Sequence, residues 1–386
     1  MLHCEDRNTV SKVWSGQIPV CFRLAAQDCS SIEAPDPFFI MLPRISYLPF
    51  IWEKVQRYFS PFVAEEHRSS QLWLETPINT TSVLSGSVML RWHLPIGLLY
   101  DLHGGGKLPW TIIIHFRDFP DKELIACETK QVAEAQFMNS VKEADFLKTR
   151  KKIMTAMTQS ERRQMTAALY ALQAESFWAV NRKLMFTSET WKHIPLRIFL
   201  LQSSPGTEVS TTAPPVVYQI QKLVPMSGSS DGLPDNSKQP ITLRHVLRLW
   251  FTRPQNQGKP TVTPELHDLS KKEDCNQCLA AEDGTQTPDT ESSPGTTERR
   301  VIAGGDGTET VKNDSRSTHK GKPQESTENN GKLPASSYEW GEDMEVILHG
   351  IPVPLDAPLQ WLAINMSYAD NFLYVVVRQR KKTAIV

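Results

Sequence analysis

The sequence predicts an α+β protein in which two ubiquitin-like β-grasp domains flank a helix-rich domain. An order of two strands, one helix and further strands occurs near the N-terminus and again near the C-terminus, and a purely helical stretch lies between them. A third observation is the absence of any aromatic residue between Phe251 and Tyr338. This segment cannot bury enough apolar surface to offset its ordering entropy, so we expect a long disordered insertion in the second β-grasp domain.

The domain boundaries follow these changes of pattern. The sequence predicts a flexible N-terminus at residues 1–12, a first β-grasp domain at 13–128, a helix-rich domain at 129–190, and a second β-grasp domain at 191–386 that is interrupted at about 252–338. Because the entropy of loop closure grows slowly with length, a fold can carry such an insertion. We therefore expect the second domain to fold without it.

The first domain begins with a strand. Apolar residues stand at every second position from Ile18 to Leu24, and a short apolar run then ends at Pro43. Over residues 48–62 the apolar period lengthens to that of a helix with one buried stripe. The rest of the domain is predicted as strands at 71–75, 88–93 and 110–116, with a short helix at 95–102.

The central domain is predicted to consist of two long helices, at residues 131–152 and 159–185. Thr158 and Glu161 precede the second helix with the spacing of a capping box. The second β-grasp domain is then predicted as strands at 193–201 and 216–224, a helix at 242–251, a strand at 345–348, a short helix at 359–362 and a strand at 371–377.

Composition excludes several classes of protein. The chain carries 42 Lys and Arg against 43 Asp and Glu, so no overall positive field attracts nucleic acid. No apolar stretch approaches the roughly 18 to 20 residues that span a bilayer, and the N-terminus lacks the apolar core of a signal peptide. The six cysteines are irregularly spaced, as is common in reducing compartments. We expect a cytoplasmic protein.

Two short motifs resemble known sites without meeting their requirements. Cys275 and Cys278 have the spacing of half a zinc knuckle or of a redox pair, but His267 is the only further ligand nearby, and the polar surroundings offer no βαβ unit. The glycines before Lys107 resemble the end of a phosphate loop, but Leu108 stands where Ser or Thr is needed. We expect no metal and no cofactor.

A thiol hydrolase built from Cys127 with His115 and Asp118 is the remaining catalytic alternative. Nothing in the sequence marks Cys127 as an accessible thiolate, and a buried inert cysteine is the commoner case. We therefore expect no catalytic centre in this chain, and hence a scaffold rather than an enzyme.

A basic run, Lys148, Arg150, Lys151 and Lys152, ends the first central helix. Cations at this end stabilise the helix through its dipole, which is a sufficient reason for them. The alternative is a membrane-proximal patch. Each such residue near an anionic surface contributes at most about 1 kcal/mol, so the four could assist membrane binding but hardly anchor the protein.

Several strings resemble the autophagy protein 5 family, in the same order along the chain. They are residues 90–102, 108–116, 141–145, 177–185, 358–362 and 368–373. The resemblance runs from about residue 13 to 201 and again from about 346 to 377, and it implies two ubiquitin-like domains that flank a helical one. The long insertion departs from the compact animal members.

The resemblance also implies a function. In this family a ubiquitin-like autophagy modifier is attached by conjugating enzymes to one lysine of a Met-Lys-Glu-Ala-Asp string, which here reads Val141-Lys142-Glu143-Ala144-Asp145. Lys142 is therefore the expected isopeptide acceptor. The conjugate is implied to bind the N-terminal helix of coiled-coil autophagy protein 16. It is also implied to promote, like an E3 ligase, attachment of a second ubiquitin-like protein to phosphatidylethanolamine at the phagophore membrane.

The helical pattern adds two expectations about sites. Val141 and Ala144 should bury the neighbouring face of the helix and leave Lys142 exposed. A groove for the partner helix is expected where the three domains meet, with Arg44 and Tyr47 as lining candidates. The alternative function is a passive β-grasp adaptor that is never modified at Lys142.

Overall fold

The computed structural model of the protein describes residues 5–31, 33–78, 86–150, 153–186, 191–202, 216–226, 240–251 and 344–379. The predicted insertion at about 252–338 lies outside these residues, and so do Lys151 and Lys152 of the basic run.

The first helix is α1 (Arg7–Ser15). It starts inside the segment 1–12 that is predicted to be flexible and ends three residues after it. Asp6 caps this helix, because its carboxylate accepts from two backbone N–H groups of the first turn at 3.0 and 3.2 Å. Val10 is buried. The prediction of flexibility at residues 1–12 is therefore wrong from Arg7 onwards, since a cap and an apolar contact order this helix.

The first domain contains a five-stranded sheet. Its strands are β1 (Gln17–Leu24), β2 (Phe38–Pro43), β3 (Trp73–Pro77), β4 (Ser87–Met89) and β5 (Trp110–His115), in the spatial order β2-β1-β5-β3-β4. Strands β1 and β5 are parallel, and the other neighbours are antiparallel. The predicted strands are thus present, with ends that differ by a few residues.

Two helices complete the first domain, α2 (Trp52–Phe59) and α3 (Ile96–His103). Val55 and Phe59 of α2 belong to one hydrophobic core with the inner face of the sheet. This core continues through α3 into the second β-grasp domain. The two domains therefore share apolar contacts directly as well as through the central helices.

The central domain contains α4 (Lys130–Thr149), α5 (Ile153–Ala156), α6 (Gln159–Tyr170) and α7 (Ala174–Met185). The capping box of Thr158 and Glu161 is present at the start of α6, as predicted. The single helix predicted at 159–185 is wrong, because the chain reverses between α6 and α7. Leu172 has φ 57° there, a left-handed conformation that no glycine or proline announces in the sequence.

The second β-grasp domain repeats the topology of the first. In chain order it has β6 (His193–Ile194), β7 (Leu196–Gln202), β8 (Val216–Ile220), β9 (Val224–Pro225), α8 (Leu243–Phe251), β10 (Met344–Leu348), β11 (Ile351–Pro352), α9 (Leu359–Asn365) and β12 (Leu373–Gln379). The main sheet has the order β8-β7-β12-β10-β11, with β7 and β12 parallel, while β6 and β9 pair separately. Helix α8 packs on this sheet. The predicted fold class is confirmed.

Candidate functional site

Lys142 lies on α4 with its side chain exposed to solvent. Thr129 caps the start of this helix by accepting from the Val132 N–H. Val141 and Ala144 are completely buried on the opposite side. The expected outward orientation of Lys142 is therefore confirmed, and the helix that carries it is fixed by its apolar face.

Glu143, the next residue along the helix, is bound by the second β-grasp domain. One carboxylate oxygen accepts from the Arg197 guanidinium of β7 at 2.7 Å, and the other accepts from the Gln221 amide just after β8, also at 2.7 Å. The Gln221 carbonyl in turn accepts from Arg197 Nε at 3.1 Å. The three side chains form a closed ring of hydrogen bonds beside Lys142.

Two aromatic residues of the second β-grasp domain hold Arg197 in place. Its guanidinium carbon lies 3.7 Å from the centre of the Phe372 ring, a cation–π geometry, and Nη1 donates to the Tyr374 hydroxyl at 3.1 Å. Burial opposes the charge of Arg197, but Tyr374 and Glu143 outweigh that effect and raise its pKa above the ordinary value. Arg197 therefore stays protonated and anchors the ring.

Tyr47, one of the two residues predicted to line the partner groove, is buried, and Asp370 connects it to Tyr374. Its hydroxyl donates to Asp370 at 3.1 Å, and the Tyr374 hydroxyl donates to the same carboxylate at 2.6 Å. Burial raises the pKa of Asp370 above its ordinary value, although these hydrogen bonds offset part of that shift. Tyr47 is 5% exposed, so its assignment to an open groove is wrong. Its partner is 323 residues away in the chain.

Arg44, the other candidate, is also buried. Its guanidinium donates to Asp101 at 2.5 Å and to the Gly97 carbonyl at 3.2 Å, and the Gly350 N–H donates to the second Asp101 oxygen at 2.9 Å. Burial raises the pKa of Asp101, although the charge of Arg44 opposes that shift. Arg44 thus holds Asp101, which accepts from Gly350 of the second domain, and the assignment of Arg44 to an open groove is wrong.

Lys148 does not belong to an exposed basic patch. It is completely buried, and its ammonium donates to the Leu184 carbonyl at 2.9 Å and to the Met185 sulfur at 3.3 Å. Burial lowers its pKa to about 7, although the charge of Asp145 raises it. Arg150 is exposed at the end of α4, and its guanidinium carbon lies 5.3 Å from the centre of the Phe146 ring. Burial of Lys148 therefore removes one of the four predicted cations from the surface.

An open cleft lies between α1 and α7, and the sequence analysis missed it. It has a volume of about 420 Å³ and is lined mainly by Glu5, Arg7, Val10, Ser11, Trp14, Ala174, Glu175, Trp178 and Arg182. An adjoining smaller pocket includes Ile45 of the first domain and Ile364 of α9, so all three domains contribute. Trp14 and Trp178 were a visible signal, but most of α1 falls in the segment 1–12 that is predicted to be flexible.

The alternative catalytic and metal sites find no support in the described residues. Cys127 is buried, and burial raises its pKa to about 12, so its thiol stays protonated. The described part of the chain contains no cluster of three or more metal-ligating residues and no helix suited to crossing a bilayer. Cys275 and Cys278 lie outside the described residues.

Comparison with known protein families matches the whole organisation of the chain. Residues 13–116 match the family model described as autophagy protein ATG5, UblA domain; residues 130–187 match the ATG5 alpha-helical bundle region; and residues 193–377 match the ATG5 UblB domain. The three matches follow the two sheets and the intervening helices described above.

Individual relatives agree with these matches. Autophagy protein 5 of Drosophila melanogaster is 38% identical over 199 residues, which are 50% of this chain and 70% of the fly protein. Autophagy protein 5 of Aspergillus oryzae is 27% identical over 399 residues, covering 96% of this chain and 97% of the fungal protein. The crystal structure of Kluyveromyces marxianus Atg5 matches with a TM-score of 0.56 at 15% identity, over 96% and 99% of the two chains, which shows a shared fold.

Proposed function

The chain belongs to the autophagy protein 5 family, and from this premise we propose that it is an autophagy scaffold conjugated through Lys142 to a ubiquitin-like modifier. The observation that carries the proposal is the exposure of Lys142 on a helix whose other faces are packed or hydrogen-bonded. The family string around this residue adds to it, because its one difference, Val141 for Met, retains an apolar side chain that is buried.

The chemistry asked of this chain is modest. The neutral Lys142 amine attacks the carbonyl carbon of the thioester between the modifier's C-terminal glycine and a cysteine of the conjugating enzyme. The amine nitrogen forms the new amide bond, the carbon–sulfur bond breaks, and the sulfur leaves as thiolate while the amine proton passes to solvent. The conjugating enzyme supplies the reactive thioester. Our chain needs only an accessible amine in a fixed position, so we propose that it has no catalytic centre of its own.

The cleft between α1 and α7 is the site that we propose for the N-terminal helix of the coiled-coil partner. Its apolar floor contains Trp14 and Trp178, and its rim carries Arg7 and Glu175, a combination suited to the apolar stripe and flanking charges of an amphipathic helix. Trp178 Nε1 is buried without a hydrogen-bond partner in the described residues.

The conjugate then acts, in this proposal, like an E3 ligase that promotes attachment of a second ubiquitin-like protein to phosphatidylethanolamine. The protein works in the cytoplasm and is recruited peripherally to the phagophore membrane. Of the predicted basic patch, the exposed Arg150 is the cation in the described residues that is available for such contact. The alternative remains an unconjugated adaptor, which lacks the isopeptide bond but retains the cleft.

A covalent adduct in the protein's own cells separates the two functions. The chain would be purified from those cells under denaturing conditions, digested with trypsin and analysed by mass spectrometry. We expect a branched peptide in which the C-terminal residues of a ubiquitin-like protein are linked to Lys142, together with a missed cleavage at that lysine. An unbranched Lys142 peptide in all of the purified material, under conditions that induce autophagy, would favour the adaptor.

A further inference from the structure

Glu143 connects the acceptor lysine's helix with the second β-grasp domain through its side chain. Both of its carboxylate oxygens are used, by Arg197 and by Gln221, each at 2.7 Å. Charge-assisted hydrogen bonds of this length are directional and are about twice as strong as neutral ones. Yet the Glu143 side chain is 43% exposed, so burial of its own surface does not account for the arrangement.

The ring adds a directional contact to the packing of the apolar face of α4. Val141 and Ala144, which are completely buried beside Lys142, make dispersion contacts, and these depend little on direction. Hydrogen bonds to Glu143 depend on direction much more strongly. Successive residues on a helix are about 100° apart, so fixing the Glu143 carboxylate also fixes the direction of the Lys142 side chain.

The ring is stiff on the side of the second domain. Arg197 lies against Phe372 and donates to Tyr374, whose hydroxyl donates in turn to the buried Asp370. Tyr47 of the first domain donates to the same carboxylate. A continuous chain of hydrogen bonds therefore runs from Glu143 through the second domain to the first.

We propose that Glu143 is a positioning residue for conjugation: through Arg197 and Gln221, it sets the direction in which Lys142 is presented to the conjugating enzyme. The inference rests on the proposed function of Lys142. Glu143 does not serve as the base that takes the amine proton, since both of its oxygens accept hydrogen bonds from the second domain. Its effect is on the geometry of attack, where small displacements of an amine from the thioester carbon slow the reaction strongly.

The test is single-turnover transfer of the modifier from the preloaded thioester of the conjugating enzyme to the full-length chain. Glu143→Ala should slow transfer at saturating enzyme by about tenfold, while the concentration for half-maximal rate changes less than twofold. Glu143→Gln, which keeps the length and one acceptor oxygen, should recover part of the rate. The matched control is Glu134→Ala on the same helix, whose carboxylate pairs only with Lys130 among the described residues, at 3.8 Å.

Gln221→Ala removes the other side of the ring at an exposed position, and it should slow transfer by about threefold. Because both residues act through one ring, the double variant with Glu143→Ala should be no slower than Glu143→Ala alone. Acylation of Lys142 by a small activated ester should be unchanged in all variants, because the amine itself is unaltered. Equal thermal midpoints would separate positioning from loss of folding.

The outcomes are distinguishable. If the unsubstituted chain accepts no modifier at Lys142, the proposed function fails and the inference fails with it. If that chain is conjugated and Glu143→Ala transfers at the same rate, only the inference fails. It fails as well if the small ester reacts more slowly in step with enzymatic transfer, or if Glu143→Ala and Gln221→Ala act additively.

Discussion

Asn181 of α7 and Asn371, just before β12, exchange two hydrogen bonds through their side-chain amides. Each amide nitrogen donates to the other's carbonyl oxygen, at 3.0 and 2.9 Å, and both residues are buried. Asn371 has φ 66°, a left-handed conformation that asparagine tolerates better than most residues. This pair joins the helix-rich domain to the second β-grasp domain without any charge.

Removing one member of this pair should destabilise the protein. Asn181→Ala leaves the buried amide of Asn371 without its partner, and we expect the free energy of unfolding to fall by about 2 kcal/mol. Denaturation in urea measures it. Asn139→Ala, at an exposed position of α4, is the control and should change the value by about 0.5 kcal/mol or less. Equal effects of the two substitutions would show that the amide pair adds nothing to stability.

Arg44 should matter for folding rather than for direct contact with a partner. Arg44→Glu places a second carboxylate beside the buried Asp101, and we expect a loss of about 3 to 5 kcal/mol in unfolding free energy. Arg57→Glu, at an exposed pair with Glu53 on α2, should cost about 1 kcal/mol or less. Calorimetric melting compares them. A stable Arg44→Glu variant that selectively loses the partner helix would restore Arg44 to the groove.

Lys148 should make stability depend on pH above neutrality. Its pKa in the folded protein is lowered to about 7 by burial, whereas lysine in an unfolded chain titrates near about 10.4. Between these values the unfolded chain binds a proton that the folded protein does not, so this residue makes stability rise with pH. Relative to Lys148→Met, the protein should gain roughly 1 kcal/mol per pH unit from about pH 7.5 to 9.5. If the unfolding free energies of the two proteins changed with pH in parallel, that result would contradict the burial of Lys148.

The cleft between α1 and α7 gives a prediction for partner binding. Trp178→Ala removes a large aromatic surface from its floor, and we expect the dissociation constant of the partner's N-terminal helix to rise by at least about 30-fold, as for buried aromatic anchors at other interfaces. Isothermal titration calorimetry measures it. Ile351→Ala, on the exposed surface of β11, is the control and should bind normally. Unchanged binding by Trp178→Ala would move the partner site elsewhere.

Local pattern predicted the elements of this fold better than the positions of its functional residues. The alternation from Ile18 to Leu24 predicted β1, and the spacing of Thr158 and Glu161 predicted the start of α6. The break at Leu172 could not be predicted, because a left-handed leucine is stabilised by tertiary contacts and not by its own preference.

Residues whose roles depend on distant partners were the ones assigned wrongly. Arg44 and Lys148 were expected on the surface because charged side chains are mostly exposed. Each is buried against groups 57 and 36 residues away, which no local pattern reveals. Lys142 differs because its exposure follows from the helical period alone, given Val141 and Ala144 on the opposite face.

The most direct test of the proposed function is reconstituted conjugation of Lys142→Arg. Arginine keeps the positive charge and most of the stem, but its guanidinium stays protonated and forms no isopeptide bond. We predict that the heavier conjugate band disappears in this variant, while its melting temperature and its affinity for the partner helix are unchanged. The double variant Lys151→Arg/Lys152→Arg should be conjugated normally. A heavier band that persists in Lys142→Arg, or that vanishes only in the double variant, would contradict the assignment of Lys142 as the acceptor.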